Sequence, residues 1–255
     1  MIFRNLTVLF VLITRSLFAQ TGATMSYTFA SDLGVNGSLI IYAQNGNYRT
    51  EMEMKSTKLL FKLNKASIIQ NSNPSHIILL NEENKTYSEK EIKHSTDSTT
   101  TTKEECLITI IGTEKVGAYN CTHVKVQQAK VKYEMWLTKD IVDELNYFTK
   151  ASDIKYAGNR QLYKALNEKN VDGFIVKTVY NEKGSAEGIL TMTLDKYNKG
   201  TIADEKFKIP TGFTKTTPTS AIMPAGMPNM TEIMKMTDEE REAYIKKMKE
   251  QFGVK

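Results

Sequence analysis

Residues that usually carry chemistry are scarce in this chain, which has three histidines, two cysteines and one tryptophan among 255 residues. His76, His94 and His123 fall into no metal-protease pattern, no paired-histidine helix spacing and no nucleophile elbow, and there is no CxxC and no phosphate-cradling glycine loop. His123 stands beside Val124 and Val126 in an alternating stretch and reads as a polar strand residue, not a base. The 29 carboxylates are scattered among lysines, so nothing selects two of them as a glycosidase pair. The expectation is a non-enzyme, with no catalytic residue, no cofactor and no metal site. Charge of one sign is also lacking. With 34 Lys+Arg against 29 Asp+Glu and no basic block, neither a nucleic-acid partner nor a polybasic membrane patch is indicated.

Long apolar runs are missing too. The stretch Leu6 to Ile13 is far short of the roughly 18 to 20 residues that cross a bilayer, so no transmembrane segment is expected. With Arg4 before it and Ser16-Leu17-Phe18-Ala19 after it, the stretch reads as a signal peptide, residues 1–19, cleaved after Ala19. No cysteine follows the cut to take a lipid. A periplasmic or secreted protein is expected, its remaining 236 residues nearly neutral at +3 and of a size suited to one all-β domain. In an exported chain the even pair Cys106 and Cys121 points to a disulfide over two buried free thiols. Closing that loop of about 15 residues would contribute about 3 kcal/mol in the chain-entropy view.

From Thr24 to about Val126 the pattern has a period of two, the signature of strands with one buried face. Tyr48, Thr50, Met52 and Met54 lie on one side of their segment, with Arg49, Glu51, Glu53 and Lys55 on the other. Asn45-Gly46 supplies the positive φ angles of a tight hairpin, and Asn36-Gly37 is expected to make the preceding turn. Leu107–Ile111 and Tyr119–Gln127 are expected to form two strands joined near Gly112 to Gly117, which would bring the cysteines across from one another. Ser95 to Thr102, without an apolar residue, reads as a connector. Val131 to Thr138 alternates again, setting Tyr133 and Met135 on one side and Trp136 on the other. Spacing of three and four then predicts two short helices, Asp140–Lys150 and Asn159–Lys169. Strands resume at Val171–Tyr180 and Gly188–Tyr197, and Phe207–Pro210 reads as a last strand stopped by proline.

The tail differs in composition. Pro218, Pro224 and Pro228 break a linker over residues 214–236, after which Thr237 and Glu240 form a capping box for an amphipathic helix over 237–252. Six of the twelve methionines, Met223, Met227, Met230, Met234, Met236 and Met248, lie here. Clustered thioethers can take Cu(I), but no His or Cys accompanies them, so packing or contact with an envelope protein partner is favoured.

Several segments resemble a known family. Gly112 to Cys121 resembles the Gly-Tyr-x-Cys strand of a secreted bacterial domain-of-unknown-function family, DUF4412, and Tyr133-Glu134-Met135-Trp136-Leu137-Thr138-Lys139-Asp140 follows as that family's tryptophan strand does. Phe207-Lys208-Ile209-Pro210-Thr211-Gly212-Phe213 is similar to its closing Phe-x-Ile-Pro-x-Gly-Tyr element, with Phe213 for the tyrosine. A related family's Gly-Leu-Pro-Gly-Leu-Ile signature is missing here. The resemblance implies kinship with periplasmic lipoprotein carriers (LolA-like): a mainly β, curved antiparallel sheet, a half-barrel over residues 20–213, with two short middle helices and the C-terminal amphipathic helix. It implies a lipid or lipoprotein as partner, bound in an apolar groove. From the alternation, the groove candidates are Tyr48, Met52, Met54, Tyr133 and Met135. The alternative is an envelope structural or interaction module that docks through its Met-rich tail.

Overall fold

The computed structural model of the chain describes residues 22–32, 34–56, 61–91, 106–128, 131–141, 157–181, 188–217, 237, 239–240, 242–244 and 246. Asn45 and Gly46 have φ of 54° and 75°, the two left-handed residues that a type I′ turn requires. They join β2 (Val35–Gln44) to β3 (Asn47–Ser56) in an unbroken antiparallel register, from Gln44 opposite Asn47 to Val35 opposite Ser56. The same logic extends the meander through β1 (Gly22–Ser31), β4 (Phe61–Gln70), β5 (Asn73–Asn81) and β6 (Thr86–Glu91). A second meander comprises β7 (Cys106–Val116), β8 (Tyr119–Gln128), β9 (Val131–Thr138), β10 (Phe174–Asn181) and β11 (Gly188–Gly200).

Pairing of β1 with β11 fuses the two meanders into one open, curved sheet of twelve strands. Its order is β12-β6-β5-β4-β3-β2-β1-β11-β10-β9-β8-β7, and all pairings are antiparallel except that of β12 (Thr214–Lys215) with β6. Between β9 and β10 lies helix α1 (Ala157–Glu168), close to the predicted Asn159–Lys169. Asn170, at φ 56°, ends it in a Schellman arrangement, with the Val171 amide donating to the Leu166 carbonyl at 3.0 Å. Leu162 and Leu166 pack on Val124, Val126, Tyr133, Met135 and Leu137, covering the β8–β9 end of one sheet face.

The other face is covered at the opposite end by chain that follows β11. A 3-10 turn, Asp204–Phe207, leads into Ile209 and Phe213, which pack on Ala66, Ile68, Ile78, Leu80 and Tyr87. Phe207–Pro210 is therefore not a strand: its backbone leaves the ladder and lies over the sheet, fastened by the Gln70 side-chain amide donating to the Phe207 carbonyl at 2.9 Å. Farther along, Thr237 and Glu240 exchange the two capping-box hydrogen bonds, 2.8 and 3.2 Å. Glu239, Glu240, Glu242, Ala243, Tyr244 and Lys246 are helical, while the other residues of the expected helix after Thr237, the Met-rich linker over 218–236, Ser95–Thr102 and the expected helix Asp140–Lys150 beyond Ile141 lie outside the described residues.

Two further expectations are corrected. Asn36-Gly37 is inside β2, and the chain reverses at Asp32 to Gly34 instead, where the Gly34 amide donates to the Ser31 carbonyl at 3.0 Å. Gly37 is glycine for another reason: a Cβ there would lie 1.9 Å from the Glu53 carbonyl oxygen and 2.7 Å from the Phe29 ring. The predicted disulfide between Cys106 and Cys121 is also overturned, because both thiols are free. The hairpin turns at Gly117-Ala118, not at its expected centre, so Cys106 sits opposite Gln128 while Cys121 sits opposite Glu114. Seven residues of extended strand, about 23 Å at the usual rise, separate Cys121 from Gln128, against the roughly 7 Å between Cα atoms that a bridge tolerates.

Gly37→Ala should destabilise the sheet by about 1–3 kcal/mol, since carbonyl and ring must both shift. Gly200→Ala, where a Cβ meets nothing within 4 Å, should leave the thermal midpoint in place. Non-reduced protein alkylated in denaturant should gain two adducts by intact mass; a species gaining none would contradict the free thiols.

Candidate functional site

Directly opposed residues of an antiparallel ladder share a sheet face, so the register says which side chains stand together. On the face that carries α1, β3 contributes Tyr48, Met52 and Met54, β2 contributes Leu39, Ile41 and Ala43, and β1 contributes Ala23, Met25, Tyr27 and Phe29. Leu194 and Met192 of β11 continue it opposite Tyr27 and Phe29, and Tyr133 and Met135 of β9 lie farther along. The five groove candidates thus occupy one face. They do not form one cluster: five strand spacings, about 24 Å along the sheet, separate β3 from β9. Tyr48 belongs to the central core with Met25, Tyr27 and Ile41, whereas Tyr133 and Met135 are sealed beneath α1.

Burial divides the candidates again. Tyr48, Met54, Tyr133 and Met135 are buried, and Met52 is only half-buried. Around Met52 the partly open part of the face is a strip that crosses four strands: Met52, its ladder partner Leu39, then Phe29 and its partner Met192. The alternation of β3 pointed to Met52 alone. The other three needed the β1–β11 register, which no local pattern contains. Burial raises the Tyr48 hydroxyl above its ordinary pKa, and burial together with neighbouring Tyr180, Cys106 and Tyr163 raises that of Tyr133, so both phenols stay uncharged at neutral pH.

The opposite face carries two polar networks. Arg49, assigned by alternation to an exposed side, is buried at 6% exposure because the 3-10 turn covers it. Its guanidinium donates to Glu51 at 2.7 Å and Glu82 at 2.9 Å, and the Lys206 ammonium reaches Glu51 at 3.2 Å while lying 4.5 Å from the Tyr42 ring centroid. Near the other end, His123 is held between two carboxylates, Nδ1 3.2 Å from Glu114 and Nε2 2.7 Å from Glu134. Its ring stacks on Trp136 at 4.1 Å, the indole N–H donates to Glu114, and the Lys177 ammonium lies 4.4 Å from the indole centroid. Both imidazole nitrogens are engaged, so this ring offers a substrate no free base. His76 is tied to Asn73 at 2.9 Å, and His94 lies outside the described residues. Among the described residues, no group of three or more His, Cys, Asp or Glu side chains is placed to hold a metal ion.

The described residues form open clefts. One of about 350 Å³ is lined by Thr28, Phe29, Asn36, Gly37, Ser38, Glu53 and Lys55. Another, about 500 Å³, includes Glu114, Lys115, Cys121, Lys139 and Asp140. Neither is lined by any of the five groove candidates. Burial is the first cause that raises the Cys106 and Cys121 thiols, which makes both poor nucleophiles.

The family model described as a domain of unknown function, DUF4412, matches residues 23–213. The chain belongs to this family. The matched span takes in β1 through the Phe213 packing element, and the three family-like segments have structural duties within it. In this DUF4412 chain, Gly117, at φ 58°, turns β7 into β8, Trp136 is the stacking partner of His123, and Phe207, Ile209 and Phe213 cap the sheet face. No curated protein matches the chain. Among solved structures, an uncharacterized conserved protein from Thermus thermophilus aligns at 7% identity and TM-score 0.47, over 84% of this chain and 99% of that one. MucB in complex with MucA(peri) aligns at 8% identity and TM-score 0.40, over 75% and 55%. A LolA superfamily protein from Nitrosomonas europaea aligns at 8% identity and TM-score 0.25, over 75% and 91%. These likenesses are too loose to carry the fold, which the strand order establishes.

The Arg49 network makes stability depend on acid. Burial alone would raise the Glu51 carboxyl, but hydrogen bonds and charge from Arg49 and Lys206 outweigh it and hold the group below the usual carboxylate range. A carboxyl with a depressed folded-state pKa stabilises above its unfolded value, and that stability is lost as pH falls through the folded value. Glu51→Gln should therefore lower the urea midpoint at about pH 7 and flatten its decline toward about pH 3. An unchanged pH slope would show that Glu51 is not linked to folding.

Proposed function

We propose that this chain is an exported, non-enzymatic binding protein that works in the periplasm or outside the cell and holds a lipid or lipoprotein acyl chain against the apolar face of its sheet. The observation that carries this reading is that one sheet face is apolar at two places, a cluster sealed by α1 over β8 and β9 and, beyond Thr178 of β10, a strip on β11, β1, β2 and β3 that is only half-buried along Met192, Phe29, Leu39 and Met52. An acyl chain laid along that strip would cover its open side. Each methylene removed from water contributes about 0.8 kcal/mol, so about ten give roughly 8 kcal/mol before ordering costs are subtracted, enough for a reversible carrier. None of these four residues is charged, which suits a hydrocarbon, and Lys65, opposite Met52 on β4, stands at the end of the strip.

A second reading, an envelope interaction module that docks through its tail, is supported by the capping bonds between Thr237 and Glu240, which start a helix just after the Met-rich linker. The two separate cleanly. Removing residues 221–255 leaves lipid uptake intact under the first reading and abolishes partner binding under the second.

Native mass spectrometry of protein extracted gently from its envelope should show co-purified lipid. Met52→Lys should reduce that occupancy about tenfold or more with unchanged circular dichroism, because an ammonium in the strip must be desolvated or expel the chain. Lys208→Glu, on the exposed segment that follows the 3-10 turn over the other face, should leave it unchanged. Ligand-free spectra of the unmodified protein in repeated preparations would refute the carrier reading.

A further inference from the structure

The two edges of the sheet are treated very differently. One ends in β12, two residues long, whose Lys215 pairs with Glu89 at 2.7 Å. A short edge strand bearing a lysine discourages further pairing. The other edge is β7, eleven residues long, with β8 as its one strand neighbour among the described residues, so one side of its backbone has no ladder partner there. From Cys106 to Thr113 it carries no charge. Leu107, Ile110 and Ile111 are 48%, 49% and 49% exposed. Together with Val131 and Tyr180 they are the large apolar side chains left exposed among the described residues, and all five lie on β7, β9 and β10.

An open edge of this kind accepts another extended backbone, and its side chains say which. Leu107-Ile108-Thr109-Ile110-Ile111 reads nearly the same in both directions about Thr109. If β7 pairs antiparallel with a copy of itself about Thr109, Leu107 faces Ile111, Ile108 faces Ile110, and Thr109 faces Thr109. Every large apolar residue meets another, and threonine meets threonine, a favourable cross-strand pair. Cys106 and Gly112 close the two ends of this seven-residue ladder. A two-fold contact needs such self-complementarity, whereas an unrelated partner has no reason to produce it.

We propose that β7 is the surface on which a second copy of this chain docks, through an antiparallel ladder between the two β7 strands with its two-fold axis at Thr109. The register shift between Ile110 and Gly112 gives β7 one residue more than β8 at this point and leaves Ile111 without a partner on β8. The pairing extends the sheet across the interface and covers the exposed apolar edge, and it leaves free the half-buried strip on β11, β1, β2 and β3, which begins four strands away from β7.

The test uses the full chain at micromolar concentrations. Sedimentation equilibrium should find a dimer, and Ile110→Lys, at a position already half exposed, should weaken association at least about tenfold while the circular dichroism spectrum is kept. Because a charge could also disturb β7 itself, mild oxidation of Thr109→Cys provides a second reading. It should give a disulfide-linked dimer in at least about tenfold greater yield than Thr113→Cys, whose two copies would lie about eight residues of strand apart. A monomer throughout the concentration range, a dimer that Ile110→Lys leaves intact, or equal cross-linking at both positions would overturn the proposal.

Discussion

The rest of the structure depends on the ladder between β1 and β11. Ten residue pairs, from Gly22 opposite Gly200 to Ser31 opposite Leu190, bring together strands that are separated by most of the chain. The first meander can form from local hairpins and the second from hairpins plus the β9–β10 connection through α1, but apart they would leave β1 and β11 as unpaired edges. Closing so long a loop costs conformational entropy, though that cost grows only slowly with length. It is offset where Met25, Tyr27 and Leu194 become buried and the Tyr27 hydroxyl donates to the Ile175 carbonyl at 3.0 Å. The bulge beside Tyr27 shifts the register there and keeps large side chains on the buried face. Loss of this seam would split the apolar face in two and part Phe29 from Met192.

Both faces of the sheet are partly covered, by different means. On one, α1 lays Leu162 and Leu166 over β8 and β9. On the other, the segment after β11 is held by polar as well as apolar contacts: the Gln44 side-chain amide both donates to the Ile202 carbonyl at 2.9 Å and accepts from the Ile202 amide at 2.7 Å. Directional bonds of this kind fix where the 3-10 turn sits, and the turn in turn buries Arg49. Among the described residues, apolar surface is left half-buried in the strip around Met52 on one face and exposed on β7, at Val131 of β9 and at Tyr180 of β10 toward the other end of the sheet.

Local pattern made much of this legible. The period of two and Asn45-Gly46 gave the β2–β3 hairpin, and helical spacing gave α1. Where the reading failed, the deciding contact was long-range. Arg49 alternates like a solvated residue, and only the later return of Asp204–Phe207 over β3 buries it. Phe207–Pro210 has the composition of a strand but finds a face and not an edge. Asn36-Gly37 has the composition of a turn, yet glycine is needed there because the Glu53 carbonyl approaches too closely for a Cβ. The disulfide failed on geometry: compartment favours a bridge, but the hairpin turn at Gly117 sets Cys106 and Cys121 at opposite ends of the ladder. Of the strip, Met52 was visible in one strand's alternation, while Leu39, Phe29 and Met192 came into view only with the register between strands.

The central claim is that the strip across β11, β1, β2 and β3 receives an acyl chain. Methyl NMR of protein labelled at its methionine methyls, titrated with a fatty acid that carries a paramagnetic group midway along the chain, tests it most directly. The methyls of Met52 and Met192 should broaden together and before that of Met135, which α1 covers, and an unlabelled acyl chain should restore them. Broadening confined to the methionines after residue 217, or no change at any methionine on saturation, would contradict the account.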